Sequence, residues 1–131
     1  MAKSLMIVDD SATMRMIVRR FLRSAGFKFD PILEAGNGKE ALTRLAGKPV
    51  DMMIVDVDMP ILGGPELVRE IRKDPAFRDM RIVMVSKESS PDLIDRVLAD
   101  GADAYILKPF TPIMFEERLT PFLDPTRTAR R

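Results

Sequence analysis

The chain of 131 residues contains no cysteine, no histidine and no tryptophan. Without cysteine there are no disulfides, thiolate metal sites or thiol nucleophiles, and a reducing compartment is the natural setting. Without histidine there are no imidazole ligands, no Ser-His-Asp triad and no phosphohistidine of the chain's own. An excess of either charge is lacking too. Lys+Arg 21 against Asp+Glu 20 leave a net of +1, so no bulk field points to nucleic acid or to an anionic membrane. No apolar run approaches the roughly 20 residues of a membrane span. The opening run, Leu5 to Val8, is also too short for a signal peptide, so the expected location is the cytoplasm. The chemistry that remains must run on carboxylates, hydroxyls, lysines and an oxygen-preferring metal ion.

What is present is the composition of one globular domain, large enough to bury about two-thirds of its unfolded surface. Four continuous apolar runs stand out: Leu5-Met6-Ile7-Val8, Met52-Met53-Ile54-Val55, Ile82-Val83-Met84-Val85 and Ala104-Tyr105-Ile106-Leu107. Continuity rather than alternation marks strands covered on both faces, as in a parallel sheet. Ile32-Leu33-Glu34-Ala35 reads as a further, edge strand. Between these runs the period turns helical. Met14, Ile17, Val18, Phe21 and Leu22 form one apolar stripe opposite Arg15, Arg19, Arg20 and Arg23, which read as a solvated face. Further stripes are Ala41, Leu42 and Leu45; Leu67, Val68 and Ile71; Leu93, Ile94, Val97 and Leu98; and Ile113, Met114, Phe115, Leu119 and Phe122. Five alternations of strand and helix predict an open α/β sheet with right-handed crossovers over residues 1–123. Residues 124–131, polar and carrying Arg127, Arg130 and Arg131, fall outside the pattern as a frayed tail.

Ligands of such sheets gather at the carboxyl ends of the strands. Those ends here carry Asp9-Asp10, Asp56, Ser86 and Lys108. A lone aspartate after a strand is ordinarily a helix N-cap. Three carboxylates, a hydroxyl and an ammonium at four strand ends are a different matter. Clustered carboxylates repel, and Mg²⁺ removes the conflict by taking oxygen ligands. A carboxylate can also attack a phosphoryl group to form an aspartyl phosphate, a transfer that needs positioning and charge neutralisation above all. Asp56, at the end of the most apolar run and before the turn Met59-Pro60, is the best placed nucleophile; Asp9 and Asp10 read as the metal cradle. Ser86 and Lys108 can each hold a phosphoryl oxygen.

The motifs Val8-Asp9-Asp10-Ser11, Val55-Asp56-Val57-Asp58-Met59-Pro60, Val85-Ser86 and Lys108-Pro109-Phe110 resemble those of the receiver domains of two-component response regulators. Ala35-Gly36-Asn37-Gly38 resembles the same family's entry to its second helix. The resemblance covers about Lys3 to Leu123. It implies a flavodoxin-like, doubly wound five-stranded parallel sheet with five helices and strand order 2-1-3-4-5. It further implies Asp56 as phosphoacceptor, with Mg²⁺ held by Asp10, Asp56 and the main-chain carbonyl of Asp58, and with Asp9 supporting through water. Ser86 and Lys108 would sense the phosphoryl group, Tyr105 would turn inward on activation, and the Lys108-Pro109 bond would be cis. The donor would be a sensor histidine kinase or phosphotransfer protein. With no effector domain in sight, a stand-alone, chemotaxis-regulator-like protein is expected. Its output would be a protein target or a phosphorylation-dependent homodimer on the face of the fourth helix, fifth strand and fifth helix.

Two positions depart from the family pattern. Lys87 stands where a small residue usually follows the switch hydroxyl, and Ile61-Leu62-Gly63-Gly64 lacks the usual polar residue before its glycine. Lys87 is expected to reach over the pocket mouth, pairing with Asp58 or the phosphoryl group and modulating access of water and donor. The alternative enzyme is a haloacid-dehalogenase-like phosphatase, with Asp56 and Asp58 as nucleophile and acid/base. Against it, that pair normally opens a chain and is followed by threonine. The ten methionines read mostly as core.

Overall fold

The computed structural model describes residues 2–46 and 48–123; the expected tail, 124–131, lies outside the described residues. The chain runs β1 (Lys3–Val8), α1 (Ala12–Ser24), β2 (Phe29–Ala35), α2 (Gly38–Leu45), β3 (Met52–Asp56), α3 (Gly64–Arg72), a 3₁₀ turn (Pro75–Phe77), β4 (Arg81–Ser86), α4 (Pro91–Ala99), β5 (Ala104–Leu107) and α5 (Pro112–Leu123). All pairings are parallel, in the order β2-β1-β3-β4-β5. This is the flavodoxin-like doubly wound sheet.

Each continuous apolar strand splits its side chains between two cores. Leu5, Ile7, Met52, Ile54, Val83, Val85 and Ile106 meet Val18, Leu22, Phe115 and Leu119 of α1 and α5. Their neighbours Met6, Val8, Met53, Val55, Ile82, Met84 and Tyr105 meet Ala41, Leu45, Leu67, Val68, Ile71 and Val97 of α2, α3 and α4. Successive side chains point to opposite faces, so a strand buried on both faces must be apolar throughout. Met6, Met52, Met53, Met80 and Met84 are fully buried, whereas Met16 stays exposed.

Local chemistry sets the helix starts. Ser11, Asn37 and Ser90 each accept a hydrogen bond from the backbone N–H three residues on, at 3.1, 2.8 and 3.4 Å. Glu40 reaches back to accept from the N–H of Gly36, one residue before the cap, at 3.0 Å. β2 begins at Phe29, earlier than its apolar run suggests, and contains Pro31. An edge strand tolerates a proline because its outer N–H has no ladder partner. The pairing with β1 shifts register between Lys3 and Leu5, opposite that proline. The Asp30–Pro31 and Lys108–Pro109 bonds are cis.

The loop between β3 and α3 is bent tightly. Ile61 and Leu62 both adopt left-handed backbone, with φ of 50° and 74°. A left-handed L-residue costs about 1–2 kcal/mol, more for a β-branched one. Leu62 is partly offset by packing on the core and by its carbonyl, which accepts from Gly38 N at 3.1 Å. Ile61 is 64% exposed and gains little from its side chain. Ile61→Asn should therefore raise stability by about 1 kcal/mol, because asparagine tolerates this conformation. The check is the urea midpoint at unchanged slope; a midpoint equal to wild type would show that Ile61 carries no strain.

Candidate functional site

The ends of β1, β3, β4 and β5 bring six groups to one rim. Asp9 follows β1 and is buried; Asp56 ends β3 and is buried; Ser86 ends β4 and is buried. Asp10 and Asp58 are exposed beside them. Lys108 follows β5, and its backbone N–H donates to the Ser86 carbonyl at 2.8 Å, which fixes the lysine's starting point. Its Nζ lies 3.0 Å from Asp56 Oδ1 and 3.9 Å from Asp9 Oδ2. One carboxylate oxygen from each of Asp9, Asp10 and Asp56 falls within 4.8 Å of the other two. The Gly64 N–H donates to Val57 O at 3.0 Å, and a Cβ at Gly64 would lie 2.5 Å from Asp56 O. Only glycine allows α3 to start this close to Asp56.

Burial is the main force on both buried acids. It pushes the Asp56 carboxyl above its ordinary value; Lys108 pulls it back by hydrogen bond and charge, and Asp58 and Asp10 push it further up. Asp9 is likewise raised by burial, opposed by the Ser11 N–H, raised again by Asp56, opposed by Lys108 and raised by Asp10. One lysine does not neutralise three clustered carboxylates. Three carboxylate oxygens gathered this closely are chemically suited to holding an oxygen-preferring cation.

The arginines of α1 do not form a uniformly solvated face. Arg15 Nε sits 2.6 Å from Glu34 Oε1, and Arg19 Nη1 lies 3.0 Å from Glu34 Oε2. Arg15 also donates through Nη1 to the carbonyl of Asp9. Glu34, on edge strand β2, thus orients an arginine that grips the backbone of the acidic loop. Helical spacing places Arg15 correctly, but only the β2–β1 pairing shows what it faces.

Ser86 and Tyr105 converge on one residue. The Glu88 N–H donates to Ser86 Oγ at 3.0 Å, and the Tyr105 hydroxyl donates to the Glu88 carbonyl at 2.9 Å. Tyr105 is buried, its ring within the core on the α4 side of the sheet. Lys87 is the residue expected to reach over the pocket mouth toward Asp58 or the phosphoryl group. Together with Met14, Ile17 and Phe21 of α1 and with Pro109, it lines a cavity. Among the described residues no ion pair joins it to Asp58, and the cationic partner of the acidic cluster is Lys108. The side chain leaves the sheet on the α1 side, a direction that loop geometry decides.

Fold and rim together define a phosphoacceptor of the receiver class. The chain belongs to the response regulator receiver domain family, whose pattern residues 5–120 match. It is 37% identical over 116 residues to the chemotaxis protein CheY1 of Helicobacter pylori, covering 88% of this chain and 92% of that one. It is 40% identical to a CheY homolog of Campylobacter jejuni, covering 88% of each. Among solved structures, the CheY4 protein of Vibrio cholerae superposes with a TM-score of 0.82 at 31% identity, over 94% of this chain and 100% of that one. The protein is thus a CheY-like response regulator receiver, a signalling phosphoacceptor rather than a conventional enzyme. Nothing supports the haloacid-dehalogenase alternative.

Proposed function

We propose that Asp56 accepts a phosphoryl group from a sensor histidine kinase or phosphotransfer protein in the cytoplasm, and that the phosphorylated form signals through a protein contact. The observation that carries this reading is the Lys108 ammonium 3.0 Å from a buried Asp56 within a three-carboxylate cluster. The donor set, all carboxylate oxygen, suits Mg²⁺, with Asp9, Asp10, Asp56 and the main-chain carbonyl of Asp58 as its holders. When bound, Mg²⁺ neutralises charge on the incoming phosphoryl oxygens. Asp56 is held for attack by β3, and Lys108 Nζ, now on Asp56 Oδ1, is free to follow the charge onto a phosphoryl oxygen. Ser86 Oγ already accepts from Glu88, which leaves its O–H to donate to another phosphoryl oxygen.

Because Glu88 binds Ser86 through its N–H and Tyr105 through its carbonyl, a turn of Ser86 toward the phosphoryl group acts directly on the tyrosine's partner. Tyr105 lines a groove with Leu98 of α4, Leu107 of β5 and Met114 of α5, where Leu98 and Leu107 stand exposed. That face is the output surface in this reading, for a protein target or a second phosphorylated copy. A small bias between two conformers suffices for such coupling.

Intact-mass measurement after acetyl phosphate and Mg²⁺, with peptide mapping, tests the core of the proposal. One phosphoryl group on the Asp56 peptide, absent in chelator, is the expected result; an adduct elsewhere overturns it. Ser86→Ala and Tyr105→Phe should both still bind beryllofluoride at Asp56. Their amide shifts on α4, β5 and α5 should shrink to less than about half of wild type. Shifts on that face equal to wild type in both variants would show that Glu88 does not link the two sites.

A further inference from the structure

A cavity of about 380 Å³ opens beside the acidic rim, walled by Met14, Ile17 and Phe21 of α1 and by Pro109 and Phe110 after β5. Its walls are fixed. Phe110 packs edge-on against Phe21 at 5.7 Å and against Phe115 at 4.9 Å between ring centroids. Two lysines complete the lining, and they differ in state. Lys108 is engaged with Asp56 and Asp9, so the cavity and the acidic site share this residue as a common wall. Lys87, next to Ser86, is exposed and forms no ion pair among the described residues. An unpaired ammonium at the edge of a preformed apolar cavity of ordinary ligand size fits a small anion with an apolar body.

We propose that this cavity is a leaving-group subsite for small-molecule phosphodonors, selecting acyl phosphates whose acyl group is branched or aromatic. The inference rests on the reading of Asp56 as phosphoacceptor. An Asp56 carboxylate oxygen forms the bond to phosphorus as the bond from phosphorus to the acyl oxygen breaks. The electron pair departs on that oxygen as a free carboxylate, and no proton changes hands. Lys108 stands at the phosphoryl side of the divide. Lys87 is placed to receive the carboxylate as its charge develops, and the α1 and Phe110 walls take the apolar body. Stabilisation of that charge acts in the transition state, so it accelerates transfer rather than merely tightening binding.

Rates of Asp56 phosphorylation are measured by mass with phosphoramidate, acetyl phosphate and benzoyl phosphate in Mg²⁺, each divided by the donor's spontaneous hydrolysis rate. The benzoyl-to-acetyl ratio should be about tenfold, the scale expected for burying much of a ring. Ile17→Phe, which fills the cavity, should bring that ratio close to one. Met14→Phe gives the same reading should the first variant fail to fold. Lys87→Met should slow both acyl phosphates relative to phosphoramidate about threefold. Sodium benzoate should shift the Met14 and Ile17 methyl resonances saturably. A wild-type ratio near one, or a ratio unaffected by filling, overturns the subsite while phosphoramidate labelling leaves the phosphoacceptor reading intact. Filling variants that slow only transfer from a phosphotransfer protein would overturn it too, assigning the cavity to protein docking. No adduct from any of the three donors overturns the phosphoacceptor reading itself.

Discussion

Asp56→Asn should abolish the phosphoryl adduct and, in chelator, make the protein more stable than wild type at neutral pH. The first effect follows from loss of the nucleophile: an amide oxygen does not form a stable acyl phosphate. The second follows from burial. The Asp56 and Asp9 carboxyls lie above the ordinary value of 3.8, burial being the largest cause in each. Folded protein therefore binds these protons more readily than unfolded chain does. Stability that is missing while both groups are ionised returns as pH falls through their raised folded values toward 3.8. An amide at position 56 removes one of these ionisations and relieves Asp9 of a like charge. Lys108 loses an ionic partner but keeps Asp9 at 3.9 Å. Wild type should accordingly gain stability in chelator as pH falls from neutral toward the ordinary carboxylate value of 3.8, and the variant should gain less. Added Mg²⁺ should stabilise wild type more than the variant, since the metal relieves the same repulsion. Urea unfolding followed by circular dichroism reads all of this. A variant less stable than wild type in chelator at neutral pH would show that the Lys108 pair outweighs burial.

The sheet and its site were legible because both depend on local pattern. A strand covered on two faces has to be apolar throughout, and Met52-Met53-Ile54-Val55 admits no other ready reading. The chemistry then falls at fixed offsets after such runs, so spacing alone gathers Asp9, Asp56, Ser86 and Lys108. Partnerships across the sheet were less visible. Arg15 reads as solvated until β2 pairs with β1 and sets Glu34 beneath it. The Glu88 link runs through its main chain, where residue identity leaves no mark. Lys87 sits beyond a strand end, where the loop rather than the pleat aims the side chain. Ile61 was visible as an oddity of composition, but its left-handed backbone was not.

At the opposite end of the strands, Arg72→Met should cost about 3–4 kcal/mol, on the scale of breaking a multiply bonded, half-buried charge. Arg72 is the last residue of α3, and sequence pattern marks it only as a basic residue in a last turn. Its guanidinium donates to the carbonyls of Gly101 at 3.0 Å, Phe77 at 2.9 Å and Met80 at 2.8 Å, and to Asp103 Oδ2 at 3.2 Å. Asp103 Oδ2 also accepts from Ile82 N at 2.8 Å. One side chain thus joins the 3₁₀ turn, the entry to β4 and the turn between α4 and β5. Gly101 is matched to it: φ is +122°, and a Cβ there would lie 2.6 Å from Arg72 Cγ. Methionine fills a similar volume but takes the guanidinium donor from three carbonyls and leaves Asp103 with only the Ile82 N–H and Arg81. Arg72→Lys should recover only a minor part, because a compact ammonium cannot span acceptors spread across three segments. Asp103→Asn should cost less in the Arg72→Met background than in wild type, the coupling expected of direct partners. Asp56 phosphorylation rates of the folded protein should stay at wild-type values, since the guanidinium touches none of the rim. A loss below about 1 kcal/mol, the scale of an exposed pair, would mean that solvent replaces these bonds and that Arg72 fastens nothing.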